Sequence, residues 1–228
     1  FVQPAPVAQD GEIFGDAFGQ ALQFLADFVA TERGQAVQAE FKDRLYLRFG
    51  QAVGACALLG IRLDRLHTTF QEALGWTDSH LWELTFGRTG FGIPDPSYGF
   101  VGPLDARKTT LAEALEGMRG KTFQYLYDFG DAWEHSVRIH GIAPADLQGS
   151  YPRLLDATGM RPPEDSGGPW GYAEKLEALT DPSHEYHEEA LDALGDDHDP
   201  HTQPNIEVIH ARFAALAKKW APRPRKPK

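Results

Sequence analysis

Cysteine is almost absent: Cys56 is the only one in 228 residues. A single thiol excludes an internal disulfide framework and any cysteine-rich zinc module. No apolar run approaches the roughly 18 residues that cross a bilayer, so no membrane-spanning helix is expected. The first ten residues, FVQPAPVAQD, have neither a basic start nor an apolar core and do not read as a secretory signal. A cytoplasmic protein is the expectation. Basic residues are also short, 22 against 33 acids, for a formal net charge of −11. Six of them, Lys218, Lys219, Arg223, Arg225, Lys226 and Lys228, lie in the terminal KKWAPRPRKPK, which holds no acid. Without those six, 16 bases face 33 acids, a body of −17. Such a body repels a phosphate backbone, so broad duplex binding would need metal ions or the tail. No Gly-x-Ser-x-Gly elbow is present, and Cys56 sits in an apolar run that suggests an inert buried thiol.

What is present is a chain long enough for one sizeable core or two small ones. Phe14, Phe18, Leu22, Leu25, Phe28 and Val29 recur at helical spacing and predict an amphipathic helix, one that packs on the body or on a second copy. FKDRLYLRF alternates as a strand, VGACALLGIRL adds a buried one, and a helix follows around Leu66, Phe70 and Leu74, stopped by Gly75. HLWELTF is another strand, and GRTGFGIPDPSYGFVGP reads as a long loop. Thr110 and Glu113 form a capping box for a short helix. Two strands run from Lys121 to His140, on either side of DFGD. A second loop, YPRLLDATGMRPPEDSGGPWGY, leads to a helix over about 172–179. Asp181 and Pro182 suit the start of the next helix, which ends at Gly195, and Asn205 caps a last one carrying Ile206, Ile209, Phe213 and Leu216. Strands come first and helices gather late, so the class is α+β, with a mixed or antiparallel sheet around an aromatic hairpin. The expected layout is a helical extension over 1–40, one α+β domain over 41–220 and a basic unfolded tail over 221–228.

The hairpin carries the main chemical candidates. Phe123, Tyr125 and Tyr127 share one strand face, and Trp133, His135, Val137 and Ile139 share a face of the returning strand. Gly130 is expected to supply the positive φ of a tight connection. If Phe129 and Gly130 alone form the loop, Asp128 and Asp131 face each other with Cβ atoms about 5 Å apart, and like charges so placed repel. A cation, a positive side chain, amides or a shared proton would then have to compensate. His135, on the face of Asp131, would join them, and three such groups suit a divalent ion such as Mg²⁺, Mn²⁺ or Zn²⁺. The competing reading is a turn in which each aspartate caps nearby amides and a wider loop separates them. DFG here is no kinase motif, because no glycine-rich phosphate loop, lysine strand or HRD loop precedes it.

Two further stretches carry candidates. EDSGGPWGY places Glu164 and Asp165 before Gly167 and Gly168, with Trp170 and Tyr172 at a helix start. Bare glycine amides there would bind an anion, and the aromatics, with Trp133, would stack on a base or sugar. A rigid structural elbow is the alternative. HEYHEE has the wrong spacing for a zinc protease, since His184 and His187 are three apart rather than four. The two would still share a helix face and bind zinc weakly, or lie in a solvated first turn. DDHDPH reads as an acidic loop.

FQYLYDFGDAWEHSVRI, followed by YPRLLDATGMRPPEDSGGPWGYAEKLEALTDPSHEYHEEALDALG, resembles the plasmid pRiA4b ORF-3-like family, also labelled insertion-element passenger proteins. LHTTFQEALGWTDSHLWEL matches upstream, and the likeness runs from about Leu63 to Leu216. The resemblance implies an α+β fold centred on the hairpin and an association with plasmids and mobile elements, but no particular reaction. The chain departs at the front, where LYLRFGQAVGACALLG replaces the usual Pro-Pro-x-Trp-Arg-Arg segment. Its long N-terminal helix looks like an addition.

Three functions follow as expectations. One is a non-catalytic binding module for nucleic acid or a protein partner. Another is a metal-dependent phosphoryl-transfer or hydrolytic enzyme in which Asp128, Asp131, His135 and Asp165 hold one or two ions. The third is a scaffold that dimerises through the Phe14–Val29 helix.

Overall fold

The computed structural model describes residues 43–49, 53–95, 102–116, 118–146 and 149–221. The predicted Phe14–Val29 helix, the tail beyond Ala221 and the Cys56 thiol lie outside that description. The class is α+β. Among the described residues eight strands form one sheet: β1 (Asp43–Phe49), β2 (Val53–Leu58), β3 (Trp82–Phe86), β4 (Thr89–Gly92), β5 (Leu104–Asp105), β6 (Thr122–Tyr127), β7 (Trp133–Pro144) and β8 (Arg153–Ala157). Their spatial order is β5-β4-β3-β6-β7-β1-β2-β8, antiparallel throughout except for the β4–β5 pair. The β6–β7 hairpin therefore occupies the middle of the sheet. Phe123, Tyr125 and Tyr127 point to the core while Thr122 and Gln124 face out, the alternation that a half-buried strand requires.

Among the described residues five helices accompany the sheet: α1 (Leu63–Leu74), α2 (Leu111–Glu116), α3 (Gly168–Thr180), α4 (His187–Leu194) and α5 (Ile206–Trp220). Leu63, Leu66, Phe70 and Ala73 recur at three- and four-residue spacing on α1 and are all buried, with the Phe70 ring edge-on to Tyr125 at 5.0 Å. Fully burying a side chain such as Phe70 is worth about 1.5–3 kcal/mol. Gly75 ends the helix in the left-handed region, its amide bonded to Gln71 O. The Thr110–Glu113 box closes both ways, with Thr110 N donating to Glu113 Oε2 at 2.7 Å and Glu113 N to Thr110 Oγ1 at 3.3 Å. Asn205 caps α5 by accepting from Val208 N, and Ile209, Phe213 and Leu216 are buried as α5 packs on β8 and α1. No helix among the described residues is long and apolar enough to cross a membrane.

Three sequence expectations change. Thr89–Gly92 and Arg153–Ala157, read as loop, are strands toward the two edges of the sheet. They are short and lie in glycine- and proline-rich surroundings that mask strand periodicity. Helix α3 begins at Gly168 rather than near Tyr172, because Gly167 at φ 85° turns the chain into it and a proline sits in its first turn. Asp181 caps a turn, accepting from Ser183 N and Oγ, and α4 starts only at His187.

Candidate functional site

Three connections meet at one end of the central strands: the segment entering β3, the β6–β7 turn and the loop before α3. In the turn, Tyr127 pairs with Trp133, so five residues rather than two form the loop. Asp128 and Ala132 take the left-handed conformation (φ 57° and 55°), and Gly130 does not. Ala132 N closes the loop on Asp128 O at 2.6 Å. An aspartate tolerates this backbone when its side chain bonds locally. Asp128 does so: Oδ1 accepts from Gly130 N at 2.9 Å and Asp131 N at 3.3 Å. The wide loop also separates the two carboxylates. Asp131 turns the other way, its Oδ2 accepting from Gly167 N at 3.0 Å.

That bond explains Gly-Gly. A Cβ on Gly168 would lie 2.1 Å from Asp131 O, and the residue sits at φ 68°, so no other residue fits without moving the loop. The anion at the start of α3 is the protein's own Asp131. The docked loop carries Glu164 and Asp165, the latter at φ 55°, to the start of β3. There Glu164 Oε1 accepts from Thr77 N (2.7 Å), Thr77 Oγ1 (3.0 Å) and the Tyr127 hydroxyl (3.2 Å). Burial, reinforced by this carboxylate, holds the Tyr127 phenol above its ordinary pKa, so it remains a donor.

His80 stands between these carboxylates. Its Nδ1 is 3.6 Å from Asp128 Oδ2, and its Nε2 is 3.3 Å from Asp165 Oδ1 and 3.7 Å from Glu164 Oε2. Asp128 and Glu164 have the same design: one oxygen is fixed by backbone amides or hydroxyls and the other is aimed at the imidazole. Asp165 is the open side, 77% exposed. His80 Nε2 is buried and has no hydrogen-bond partner, because the nearby Asp165 oxygen lies off its axis. One donor atom each from His80, Asp128 and Asp165 lies within 4.8 Å of the others. Ligands bound at about 2.1 Å to one ion are at most about 4.2 Å apart, so a modest closure would bring the three onto a shared cation. Mixed nitrogen and carboxylate donors suit Zn²⁺ or Mn²⁺ better than an all-oxygen ion.

Of the residues expected here, the structure brings together Asp128 and Asp165 but neither Asp131 nor His135. The His135 ring lies edge-on to Trp76 at 5.4 Å, with Nδ1 3.0 Å from Trp133 O, facing an apolar cavity instead. Trp133 is buried against Tyr172, whose hydroxyl meets His198 Nε2 at 2.8 Å. Trp170 points to solvent, so the three aromatics form no common stacking surface. His184 precedes α4 and accepts from Tyr186 N, while His187 Nδ1 meets Ala178 O. The shared helix face expected of the pair is not formed, because the helix starts too late. Among the described residues, His80, Asp128 and Asp165 make up the one cluster of three such donors. His80 escaped the sequence reading because it looked like the first residue of a strand. Its partners come from distant segments, and the faint signal was polar TDSH between a helix stop and an apolar strand.

The order of motifs around this corner is that of a family. Residues 58–205 match the plasmid pRiA4b ORF-3-like protein family, and the chain belongs to it. Over 166 residues it is 48% identical to the "Uncharacterized protein y4hQ" of Sinorhizobium fredii, covering 73% of this chain and 84% of that protein. The fold is similar to the crystal structure of a protein of unknown function from Methanosarcina mazei Go1, at 29% identity and a TM-score of 0.61, covering 73% of this chain and 98% of the other. His80, Asp128, Glu164 and Asp165 all fall inside the matched span.

Proposed function

We propose that this protein is a binding module that holds one divalent cation at His80, Asp128 and Asp165, with Glu164 beside them, and offers that cation to an anionic group of a partner. The observation that carries the reading is the buried, unpartnered Nε2 of His80, ringed by carboxylate oxygens that their own hydrogen bonds have aimed at it. Carboxylates gathered this closely favour a counter-charge, and a divalent ion supplies one. The exposed side at Asp165 leaves room on the ion for a phosphate or carboxylate. For a body of −17, such a bridge is a physical route to a nucleic acid or an acidic protein surface. The plasmid setting in the family's name, with a place inside the cytoplasm, agrees with that role.

The test is calorimetric titration of the full chain with Mn²⁺, Zn²⁺ and Mg²⁺. We expect one site, lost in His80→Ala and in Asp128→Asn, weakened at least about tenfold in Asp165→Asn, and kept in His184→Ala, which lies outside the cluster. An absence of binding by all three ions ends the proposal, as does equal loss in His184→Ala. A second reading, metal-assisted hydrolysis of a phosphate ester, draws on the same open side, where a bound water would become nucleophilic. Mn²⁺-dependent cleavage of bis-p-nitrophenyl phosphate that vanishes in Asp128→Asn would favour it over the binding module.

A further inference from the structure

A second site lies on the far side of the Trp76–Tyr127 stack, whose rings are 4.9 Å apart. A cavity of about 440 Å³ opens between the end of α1, the start of β7, the segment after β8 and the face of α5. That volume suits a small organic ligand. Its walls are mainly apolar, with Trp76, Trp133, Met160 and Ile209 prominent among them. Trp76 is fixed by donating Nε1–H to Pro162 O at 3.1 Å and lies 6.1 Å from Trp133, so the aromatic wall is rigid before any ligand arrives.

Two guanidinium groups converge at this cavity. Gly75 has no side chain, and from the place where a Cβ would stand, Arg212 Nη1 is 2.8 Å away and Arg161 Nε 3.6 Å. Two cations meeting at one point repel, and the countercharges nearby do not answer them directly. Arg161 donates Nη1–H to Pro162 O, a neutral carbonyl. Arg212 approaches Glu72 only at 3.9 Å, with both side chains about two-fifths exposed, which makes a weak pair. Burial, and then the charge of Arg212, press the Arg161 guanidinium below its ordinary pKa, while Glu164 acts in the opposite sense. Paired guanidiniums recognise planar or tetrahedral oxyanions through charge-assisted bonds.

We infer that this cavity binds a small amphipathic anion, its aromatic or aliphatic body between Trp76, Trp133 and Ile209 and its carboxylate or phosphate between Arg161 and Arg212. The inference is independent of the cation cluster, since it uses none of that cluster's ligands. His135, half-buried with its pKa lowered by desolvation, lies against Trp76 as a neutral polar edge that would orient the body. The apolar wall selects against bare inorganic anions, and the two arginines select against neutral hydrocarbons.

The experiment uses the full chain in excess EDTA, so that no cation at His80 takes part. Phenyl phosphate and benzoate are titrated by calorimetry, with inorganic phosphate and benzyl alcohol as controls. At least one aromatic anion is expected to bind saturably, about tenfold or more tighter than either control. The tighter of the two identifies the preferred head group. Arg161→Gln combined with Arg212→Gln should weaken it at least about tenfold, and Ile209→Trp, which fills the cavity, should abolish it. In the unmodified protein, the indole N–H resonances of Trp76 and Trp133 should shift on titration, a readout that requires no variant to fold. The inference is overturned if neither anion saturates, if binding is unchanged in the double arginine variant, or if both indole signals stay still while binding occurs elsewhere.

Discussion

Two histidine–carboxylate groups flank the same short segment between α1 and β3, and they could hardly be treated more differently. His67 is buried, stacked on Trp82 at 4.0 Å. Its Nδ1 meets the Tyr125 hydroxyl at 2.9 Å and its Nε2 meets Asp78 Oδ1 at 2.6 Å. Gln71 completes the ring, donating to Tyr125 at 2.8 Å and accepting from Asp78 N at 3.1 Å. Both ring nitrogens have partners. His80 has three carboxylate oxygens around it, against one for His67, and no hydrogen bond at Nε2. Residue type does not separate the two groups; saturation does. A polar cluster whose bonds close on themselves is architecture, and one whose oxygens are aimed but unanswered is a place for a ligand.

The comparison can be broken most forcefully at Gly168. Gly168→Ala imposes both a left-handed alanine and a contact with Asp131 O, and we expect it to cost about 4 kcal/mol. Because the same loop carries Glu164 and Asp165, cation affinity should fall with it; unchanged stability in a thermal melt would mean the loop does not dock on the turn as described. Next come the two histidines. His67→Ala should cost roughly 3 kcal/mol, on the order of 10 °C in melting temperature, since it empties a buried space and leaves the Tyr125 hydroxyl and Asp78 without their partner. His80→Ala should stay within about 0.5 kcal/mol of the parent, because it removes an unsatisfied group. Equal losses from the two would erase the distinction drawn here.

The smallest effect is a pH dependence. Burial lowers the folded-state pKa of both His67 and His135 from 6.5. The unfolded chain therefore takes up protons near pH 6.5 that the folded chain refuses, and stability falls as pH drops below that value. Replacing His67 with phenylalanine should flatten the decline in melting temperature; an unaltered slope would place the titration elsewhere.

Much of the framework was legible because it rests on local rules. The spacing of Leu63, Leu66 and Phe70, the Thr110–Glu113 box, the Asn205 cap and the alternation of Phe123, Tyr125 and Tyr127 each follow from a few neighbouring residues. Strands β4 and β8 were hidden because a short strand among glycines and prolines takes its identity from its neighbours. Within the candidate site, Asp128 and Asp165 were legible as acids beside turns. His80 was not, and Asp131 and His135 were assigned to a company they do not keep. The reason is turn width: two residues in the loop would have set the aspartates face to face, and five turned one toward His80 and the other toward Gly167.

By itself the amino-acid sequence determined the class, the central hairpin, most helix stops and the family, since these depend on periodicity, capping and the order of motifs along the chain. Only the tertiary structure decided which oxygens face His80, why Gly168 has no side chain, and that Arg161 and Arg212 converge over Gly75. Those outcomes depend on segments far apart in sequence, brought within hydrogen-bond distance by one sheet, and no local pattern encodes a distance of that kind.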